Sequence, residues 1–321
     1  MDRPFSERVA GEDWRGEVEA WAVAELARTG REVTGPTEQL RIRPWSTQLT
    51  IPTQHGTVWF KANCPTLAFE PRLQALLAEL LPHAVDAPLA VEPDRGWMLT
   101  VDRGETLGDH REPTLDDWQR VVTEAAQMQQ VLAGHRDELL GAGVPDCSPA
   151  TVVDRFDRLV DTLAGLPGEH PSHVSPELEA RLRATRPAIA DAARQLDESA
   201  LPTTWQHGDL HPRNVFAVEG GELHLFDFGD AQWSHAVEVL SVPFGWVTTY
   251  TDLAWRDVLE PYCAVWGTTP EAVEADWRAT ALTQPVNRTL LWWVALEQAT
   301  AAEWAEWGEG PIHHLTRVLD A

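Results

Sequence analysis

The chain has 321 residues, 43% hydrophobic and 23% charged, which is typical of a globular protein long enough to bury a sizeable core. Its formal net charge of −25 argues against nucleic acid as a partner, because phosphate backbones attract Lys and Arg. The three cysteines, Cys64, Cys147 and Cys263, are too few and too widely spaced for a disulfide framework or a zinc site.

The composition also bears on location and partners. The sequence has no apolar run of membrane-spanning length, and the charged segment MDRPFSERVAGEDW lacks the apolar part of a signal peptide. Together with the few cysteines, this predicts a cytoplasmic protein with no membrane partner. The acidic balance has two explanations: an acidic cleft attracts a cationic small molecule, whereas an acidic surface only keeps the chain soluble. Composition leaves the oligomeric state open.

The first third of the chain is predicted to be rich in strands. Residues 12–28 carry apolar residues at helical spacing and stop before Gly30. A second helix is expected at 67–81, with Pro71 near its start, where proline is tolerated. Between and after these helices, the predicted strands are EQLRIRPW, STQLTIPT, TVWFKA and the hairpin formed by PLAVEP and WMLTVD.

From residue 114 the pattern becomes helical, with an interruption of loop and strand at 203–231. Two of the helical segments open with Ser-Pro, a favourable helix start. The C-terminal part is dense in tryptophan, which we interpret as helix-packing residues. A boundary near 102–113 therefore separates a small strand-rich N-lobe, residues 1–102, from a larger and mostly helical C-lobe, residues 103–321.

The interruption, WQHGDLHPRNVFAVEGGELHLFDFGDA, carries three polar residues at informative positions: Asp209, Asn214 and Asp227. The segments VFAV and LHLFDF, joined by EGGE, predict a hairpin. Because a hairpin brings its two ends together, Asn214 before the first strand and Asp227 after the second should converge. Amide and carboxylate oxygens, with phosphate oxygens and water, suit Mg²⁺. Asp209, on the preceding loop, is placed to accept a proton from a substrate hydroxyl.

Lys61 is the only lysine among the 25 basic residues. By itself, a single lysine in a strand is explained by chance as readily as by function. Glu70, which opens the next helix, is the expected partner that would hold Lys61 towards the α- and β-phosphates of a nucleotide. A slim ammonium fits between a carboxylate and phosphates where a guanidinium would crowd them. With the three polar residues of the interruption, this gives the phosphoryl-transfer layout of kinase-like enzymes.

The two segments HGDLHPRN and LFDFGDA resemble the signature of the aminoglycoside phosphotransferase and choline kinase family, small-molecule relatives of protein kinases. In that family the catalytic loop commonly follows the pattern H-G-D-x-H-x-x-N, and the metal motif is followed by a further acidic residue. The matching positions are His207, Gly208, Asp209, His211, Asn214, Asp227 and Asp230. The resemblance runs from about residue 40 to the end, but it is sharp only at these motifs and at the Lys61 strand.

The resemblance implies an α+β, bilobal protein-kinase-like fold. It also implies an enzyme that transfers the γ-phosphoryl group of ATP or GTP, with Mg²⁺, to a hydroxyl group of a small molecule. One expected acceptor is an aminoglycoside or another cationic antibiotic, with antibiotic resistance as the role. The alternative is an amino alcohol or a sugar, with a metabolic role. A non-catalytic nucleotide-binding module is a third hypothesis, weakened because the base, the metal residues and the lysine are all present.

The sequence departs from the family pattern at two places. Arg213 stands where many relatives carry glycine, and no glycine-rich loop precedes the strand lysine. In the turn PWSTQ, the resemblance implies phosphate contacts from Ser46 and Thr47, and the alternative is that both are ordinary strand-end residues. By the same resemblance, backbone contacts to the adenine are expected near Thr100, Val101 and Asp102.

Four further residues lie in or near these motifs. His207 is expected to pack beneath the loop and to hydrogen-bond the backbone near Asp227. His211 either touches the γ-phosphate or supports the loop. Asp230 and Glu238 are expected to face the region where family members bind substrate, and a carboxylate there would suit an amine. The alternative explanation for either residue is a carboxylate at a helix N-terminus.

Overall fold

The computed structural model describes residues 3–109, 111–218 and 221–321. Its strands are β1 (Glu38–Ile42), β2 (Ser46–Thr53), β3 (Gly56–Asn63), β4 (Ala90–Glu92), β5 (Trp97–Val101), β6 (Thr203–Gln206), β7 (Val215–Ala217), β8 (Leu223–Leu225) and β9 (Gln232–His235). Its helices are α1 (Phe5–Val9), α2 (Glu12–Arg28), α3 (Glu70–Leu80), α4 (Leu115–Leu132), α5 (Arg136–Ala142), α6 (Pro149–Ala164), α7 (Pro176–Asp197), α8 (Ser241–Tyr250), α9 (Trp255–Val265), α10 (Pro270–Ala295), α11 (Ala301–Trp307) and α12 (Gly310–Thr316). Of the helices in these ranges, none combines the length and the apolar composition needed to cross a membrane.

The chain divides into two compact units. The first runs to Gly104 and takes in Val294–Trp307, and the second comprises Glu105–Trp293 and Gly308–Ala321. The sequence placed the division after residue 102 and assigned every later residue to the helical part. The difference at 294–307 has a physical cause. Val294 packs against the core of the first unit, and its carbonyl accepts a hydrogen bond from Thr66 Oγ1 over 2.7 Å.

In the first unit, β1 to β5 form an antiparallel sheet of order β1-β2-β3-β5-β4. Burial alternates along β3, so that Val58 and Phe60 lie in the core shared with α2 and Lys61 lies on the other face. The Phe60 ring makes edge-to-face contacts with Trp14, Trp21 and Trp97. This aromatic packing fixes β3 and therefore the direction in which Lys61 points.

The second unit is mostly helical, with two short ladders among its helices. The α6–α7 pair shares a hydrophobic core with residues of α10 and α12. Strand β6 pairs with β9, with Gln206 opposite Gln232, and β7 pairs with β8, with Val215 opposite Leu225. The turn predicted at EGGE includes residues 219 and 220, which lie outside the described residues. The two ladders bring the loop after β6 and the segment after β8 into the same region of the unit.

Candidate active site

Asp209 lies in the loop between β6 and the β7–β8 hairpin. Its side chain is 38% exposed, and Oδ2 lies 3.3 Å from His211 Nε2. Asn214 Nδ2 lies 3.3 Å from the same carboxylate oxygen and donates to the Asp209 carbonyl over 2.9 Å. The loop thereby holds a carboxylate and a carboxamide next to each other through its own hydrogen bonds.

The charge state of Asp209 follows from these neighbours. Burial raises the pKa of this carboxyl, but the His211 hydrogen bond and the positive charge of Arg288 outweigh burial and lower the pKa to about 2. The carboxylate is therefore ionised at neutral pH, which is the state required to accept a proton.

His207 connects the loop to the segment before Asp227. Its side chain is fully buried, and Nδ1 accepts a hydrogen bond from the Asp209 backbone N–H over 3.4 Å. The ring proton is therefore assigned to Nε2, which donates to the Phe226 carbonyl over 3.0 Å. Burial lowers the pKa of His207 and favours the neutral ring that this pattern requires.

Asp227 follows β8 in a backbone conformation that non-glycine residues rarely adopt. Its φ of 64° is the only positive value at a non-glycine residue in the part of the chain that the structure describes. Such conformations cost about 1–3 kcal/mol and concentrate at functional sites. The backbone N–H of Phe226 donates to the Asn214 carbonyl over 3.1 Å, so the residues predicted to hold a metal lie on hydrogen-bonded backbone segments.

The donor chemistry of this pair fits Mg²⁺. The amide hydrogens of Asn214 are directed at Asp209, so the amide oxygen is the atom that a cation would meet. Asp227 offers a carboxylate on the adjacent segment. Magnesium is commonly held by one or two such oxygens together with phosphates and water.

In the first unit, Lys61 is paired with Glu70. Lys61 Nζ lies 2.7 Å from both Glu70 Oε1 and Glu70 Oε2, and the Glu70 side chain is fully buried at the start of α3. Asn63 Nδ2 donates to Glu70 Oε2 over 2.6 Å. Separating the two groups would leave an uncompensated charge in a buried place, which is strongly destabilising. Lys61 therefore stays paired with Glu70, and the pairing fixes the position of its head group.

Ser46 and Thr47 begin β2 and are buried. The Thr47 hydroxyl donates to the Arg41 carbonyl over 2.8 Å and accepts from Gln39 Nε2 over 2.8 Å. This hydroxyl is therefore engaged in binding β1 to β2, and a phosphate contact at this turn would depend on the backbone or on Ser46. The two residues stay predictions as nucleotide contacts.

The segment expected to meet the adenine lies at the end of β5. In the residues described, β4 pairs with β5 only as far as Leu99, so at Thr100 and Val101 strand β5 pairs only with β3. The Asp102 backbone N–H donates to the Thr57 carbonyl over 3.1 Å, and the Asp102 carboxylate accepts from the Gly104 N–H over 2.9 Å. Adenine contacts here stay a prediction.

Glu238 requires a correction, because the sequence predicts that it faces the substrate, with a carboxylate at a helix N-terminus as the alternative. Its side chain is only 2% exposed. Oε1 accepts from Thr283 Oγ1 over 2.6 Å, and Oε2 accepts from Asn287 Nδ2 over 2.8 Å. Burial raises the pKa of this carboxyl. The short helical turn after β9 directs Glu238 into an interior polar network, where both oxygens are already occupied.

Asp230 is partly exposed, at 33% of its side chain, and its carboxylate accepts a hydrogen bond from Arg288 Nη1 over 2.6 Å. Burial and the neighbouring carboxylates of Asp209 and Asp227 raise the pKa of Asp230, and Arg288 opposes them. Asp230 already has a cationic partner within the chain. The sequence did not single out Arg288, since it lies in the helical stretch VNRTLL without any motif.

An aromatic face next to the catalytic loop was also missed. The Trp246 ring lies 5.2 Å from the His211 ring and 5.4 Å from the Tyr250 ring, measured between centroids. Tyr250 is 68% exposed, and the Arg213 guanidinium lies 5.8 Å from the Trp246 centroid. The sequence interpreted Trp246 only as a packing residue. The spacing of Trp246 and Tyr250, four apart on α8, was the available signal of a shared face.

The fold and this arrangement of side chains define a protein-kinase-like phosphotransferase. A sequence model described as the phosphotransferase enzyme family matches residues 61–282, and the chain belongs to that family. The predicted fold class, a bilobal α+β kinase-like fold, is confirmed. The predicted enzyme class, a phosphotransferase with an alcohol group as acceptor, is confirmed as well.

Several solved structures share the fold. The macrolide 2′-phosphotransferase MphH of Brachybacterium faecium is 17% identical, with a TM-score of 0.59 over 93% of this chain and 97% of that chain. The choline kinase LicA of Streptococcus pneumoniae is 12% identical, with a TM-score of 0.59 over 95% and 99%. A spectinomycin phosphotransferase in complex with ADP and spectinomycin is 8% identical, with a TM-score of 0.50 over 94% and 98%. No curated protein matches the chain by sequence.

Proposed function

We propose that this protein transfers the γ-phosphoryl group of ATP or GTP to a hydroxyl group of a small molecule. The observation that carries the proposal is the ionised Asp209 carboxylate, held by His211 and Asn214 in one loop. Family membership supports a nucleotide as the phosphoryl donor, and the structurally similar spectinomycin phosphotransferase was solved with ADP.

The proposed role of Asp209 is that of the base. One carboxylate oxygen orients the acceptor hydroxyl and takes its proton as the hydroxyl oxygen bonds to the γ-phosphorus. The bond between the γ-phosphorus and the oxygen that bridges it to the β-phosphate breaks, and ADP or GDP leaves with that oxygen. The low pKa of Asp209 keeps the carboxylate ionised, and His211 fixes its Oδ2. Such transfers depend mainly on positioning and electrostatics.

Asn214 and Asp227 are proposed to hold Mg²⁺, which when bound supplies positive charge to the phosphate oxygens. Lys61, held by Glu70, is proposed to neutralise charge on the α- and β-phosphates. Its pairing at 2.7 Å supports this role, because a lysine fixed by a buried carboxylate presents its remaining protons in a set direction.

The acceptor is proposed to be a cationic small molecule, such as an aminoglycoside or another cationic antibiotic. The net charge of −25 and the exposed Tyr250 ring both favour a cation, since aromatic faces attract positive charge, whereas the neighbouring Trp246 ring already has the Arg213 guanidinium 5.8 Å from its centroid. An amino alcohol or a sugar is the alternative acceptor. The structural neighbours named above include proteins for macrolides, choline and spectinomycin, so the fold accommodates both classes.

The experiment that tests the proposal measures nucleotide turnover with Mg²⁺ across cationic antibiotics, amino alcohols and sugars. We expect one acceptor class to stimulate turnover and Asp209→Asn to abolish it while nucleotide affinity persists. Asp154→Asn, at an exposed position on α6, is the matched control and should retain full activity. Normal turnover by the Asp209→Asn protein would show that Asp209 is not the base.

A further inference from the structure

Arg288 joins two segments of the candidate active site. Its Nη1 donates to the Gly208 carbonyl over 2.9 Å and to Asp230 Oδ2 over 2.6 Å. Its side chain is 17% exposed, and it projects from α10, far along the chain from both segments. A single nitrogen, with its two protons, therefore spans the catalytic loop and the segment that follows the metal motif.

The same two segments touch directly at Gly208. This residue has a φ of +81°, and a Cβ atom added there would lie 2.0 Å from the carbonyl oxygen of Asp230. Only glycine permits this approach. Arg288 thus bridges two segments whose backbones are so close at Gly208 that no side chain fits between them.

Stability alone is a weak explanation for this arrangement. Desolvating an ion pair offsets most of its attraction, and an apolar pair of similar volume often serves as well. A guanidinium differs from an apolar group, and from a rotating ammonium, because its planarity fixes the directions of both protons on Nη1. Arg288 also lowers the pKa of Asp209 by its charge, which a lysine would do as well, so the contribution that only a guanidinium makes is geometric.

We infer that Arg288 is a positioning residue for phosphoryl transfer, an inference that rests on the function proposed above. Gly208 directly precedes Asp209, and Asp230 lies three residues after Asp227. By binding both neighbours, Arg288 sets the distance between the proposed base and the proposed metal carboxylate. Asp230 then serves as the anchor for Arg288 and does not contact the substrate.

The first test compares Arg288→Gln and Arg288→Lys with Arg278→Gln. Arg278 lies on the same helix, is 75% exposed and pairs with Glu274, which makes it a matched control. We expect Arg288→Gln to lower kcat roughly 10- to 100-fold, with nucleotide and acceptor KM within about twofold, and Arg288→Lys to recover part of the loss. A folded Arg288→Gln protein with wild-type kcat would overturn the inference.

The second test adds guanidinium to Arg288→Ala. Arg288 lines a cavity of about 550 Å³ together with Gln284 and His314, which gives a small cation a place to enter. We expect millimolar guanidinium to restore kcat several-fold in Arg288→Ala and to leave Arg278→Ala unchanged. No rescue in a folded Arg288→Ala protein would count against a geometric role.

The third test separates the two roles of Asp230. As the anchor, Asp230→Asn should lower kcat, and the double variant with Arg288→Gln should be little worse than either single variant. As a substrate carboxylate, Asp230→Asn should instead raise the acceptor KM several-fold at an unchanged kcat. The second outcome would overturn the anchoring role.

A further measurement does not depend on turnover. Hydrogen exchange in Arg288→Gln should accelerate at residues 207–214 and 226–231 but remain unchanged elsewhere in the second unit, and Arg278→Gln should alter neither segment. Should wild-type protein fail to turn over any acceptor, the proposed function fails, while localised exchange would still support the link through Arg288. Unchanged exchange in both segments would refute that link.

Discussion

Asn63 donates its side-chain amide to Glu70 Oε2 across 2.6 Å, in a position that is only 3% exposed. Lys61 Nζ lies 2.7 Å from both Oε1 and Oε2 of the same carboxylate. Together these contacts fix the orientation of the Glu70 carboxylate and therefore the position of the Lys61 ammonium.

Asn63→Ala should weaken nucleotide binding indirectly, through the position of Glu70 and Lys61. The change removes one of two donors to Glu70 Oε2, a hydrogen bond to a charged group that contributes about 1.5–3 kcal/mol. We expect a several-fold rise in the nucleotide dissociation constant, measured by calorimetric titration. Asn63→Asp, which sets two carboxylates against each other, should bind more weakly still. Wild-type affinity in both variants would show that the orientation of Glu70 is unimportant.

Lys61→Arg should lower turnover roughly 100-fold or more, as expected when one electrostatic contact to the transferring phosphates is lost. The broader guanidinium cannot occupy the place of an ammonium that is 11% exposed beside a buried carboxylate. Arg41→Lys, an exposed exchange on β1, is the control. Labelling with an amine-reactive nucleotide analogue offers a second measurement. ATP should protect the peptide that contains Lys61 from labelling. Labelling that ATP does not reduce would show that Lys61 does not line the nucleotide site.

Gly208→Ala should impair both stability and turnover. The added Cβ would lie 2.0 Å from the Asp230 carbonyl oxygen, so one of the two segments must move. Gly267→Ala is matched in backbone conformation, with a φ of +66° and open space around it. We expect thermal or denaturant unfolding to show a loss about 1–3 kcal/mol larger at Gly208 than at Gly267. Equal losses would mean that the segments adjust freely.

Glu238→Ala should destabilise the fold by about 3 kcal/mol, because Thr283 and Asn287 lose their acceptor in the interior. Glu306→Ala, at an exposed position on α11, should change the free energy of unfolding by less than about 0.5 kcal/mol. At a temperature where Glu238→Ala remains folded, the acceptor KM should equal that of wild type. A large rise in the acceptor KM with an unchanged free energy of unfolding would show that Glu238 contacts the substrate.

Stability should fall with pH below neutrality, in part through His314. Its Nδ1 is buried with no hydrogen-bond partner in the residues that the structure describes. Burial, together with the charges of Arg288 and Arg317, lowers the pKa of His314 from 6.5 to about 3. Between these values only the unfolded chain binds the proton, so the free energy of unfolding declines as pH falls, by at most about 1.4 kcal/mol per pH unit for this one group.

The matched pair for this prediction is His314→Gln and His313→Gln, since His313 is the exposed neighbour on the same helix. Denaturant unfolding from pH 6.5 down to pH 4 should show a shallower decline for His314→Gln and an unchanged decline for His313→Gln. Equal slopes in all three proteins would assign the acid sensitivity to other groups.

Local patterns predicted much of the fold. The helix expected over 12–28 is α2, and the segments opened by Ser-Pro are α6 and α7. These helices are predictable because their apolar spacing and capping residues lie within one segment of the sequence. The kinase-like class followed because its motif occupies a single short stretch between His207 and Asp230.

Features that depend on distant segments escaped prediction. Arg288 meets Gly208 across 80 positions, and Glu238 meets Asn287 across 49, so no local pattern reveals either contact. Without its distant partners, a carboxylate such as Glu238 near a catalytic motif is expected at the substrate or at a helix N-terminus. Composition predicts a packing role for Trp246, because tryptophan is common in helix contacts, although its spacing from Tyr250 indicates a shared face.

The adjacent residues Asn287 and Arg288 give helix α10 a further property. Asn287 turns to the interior network at Glu238, and Arg288 turns to the loop at Gly208. Since successive residues of a helix point about 100° apart, inserting or deleting one residue upstream on α10 would swing both side chains away from their acceptors at once. Variation in this helix is therefore expected as replacements at constant length, and a change of length should disable the catalytic loop even when every motif residue is intact.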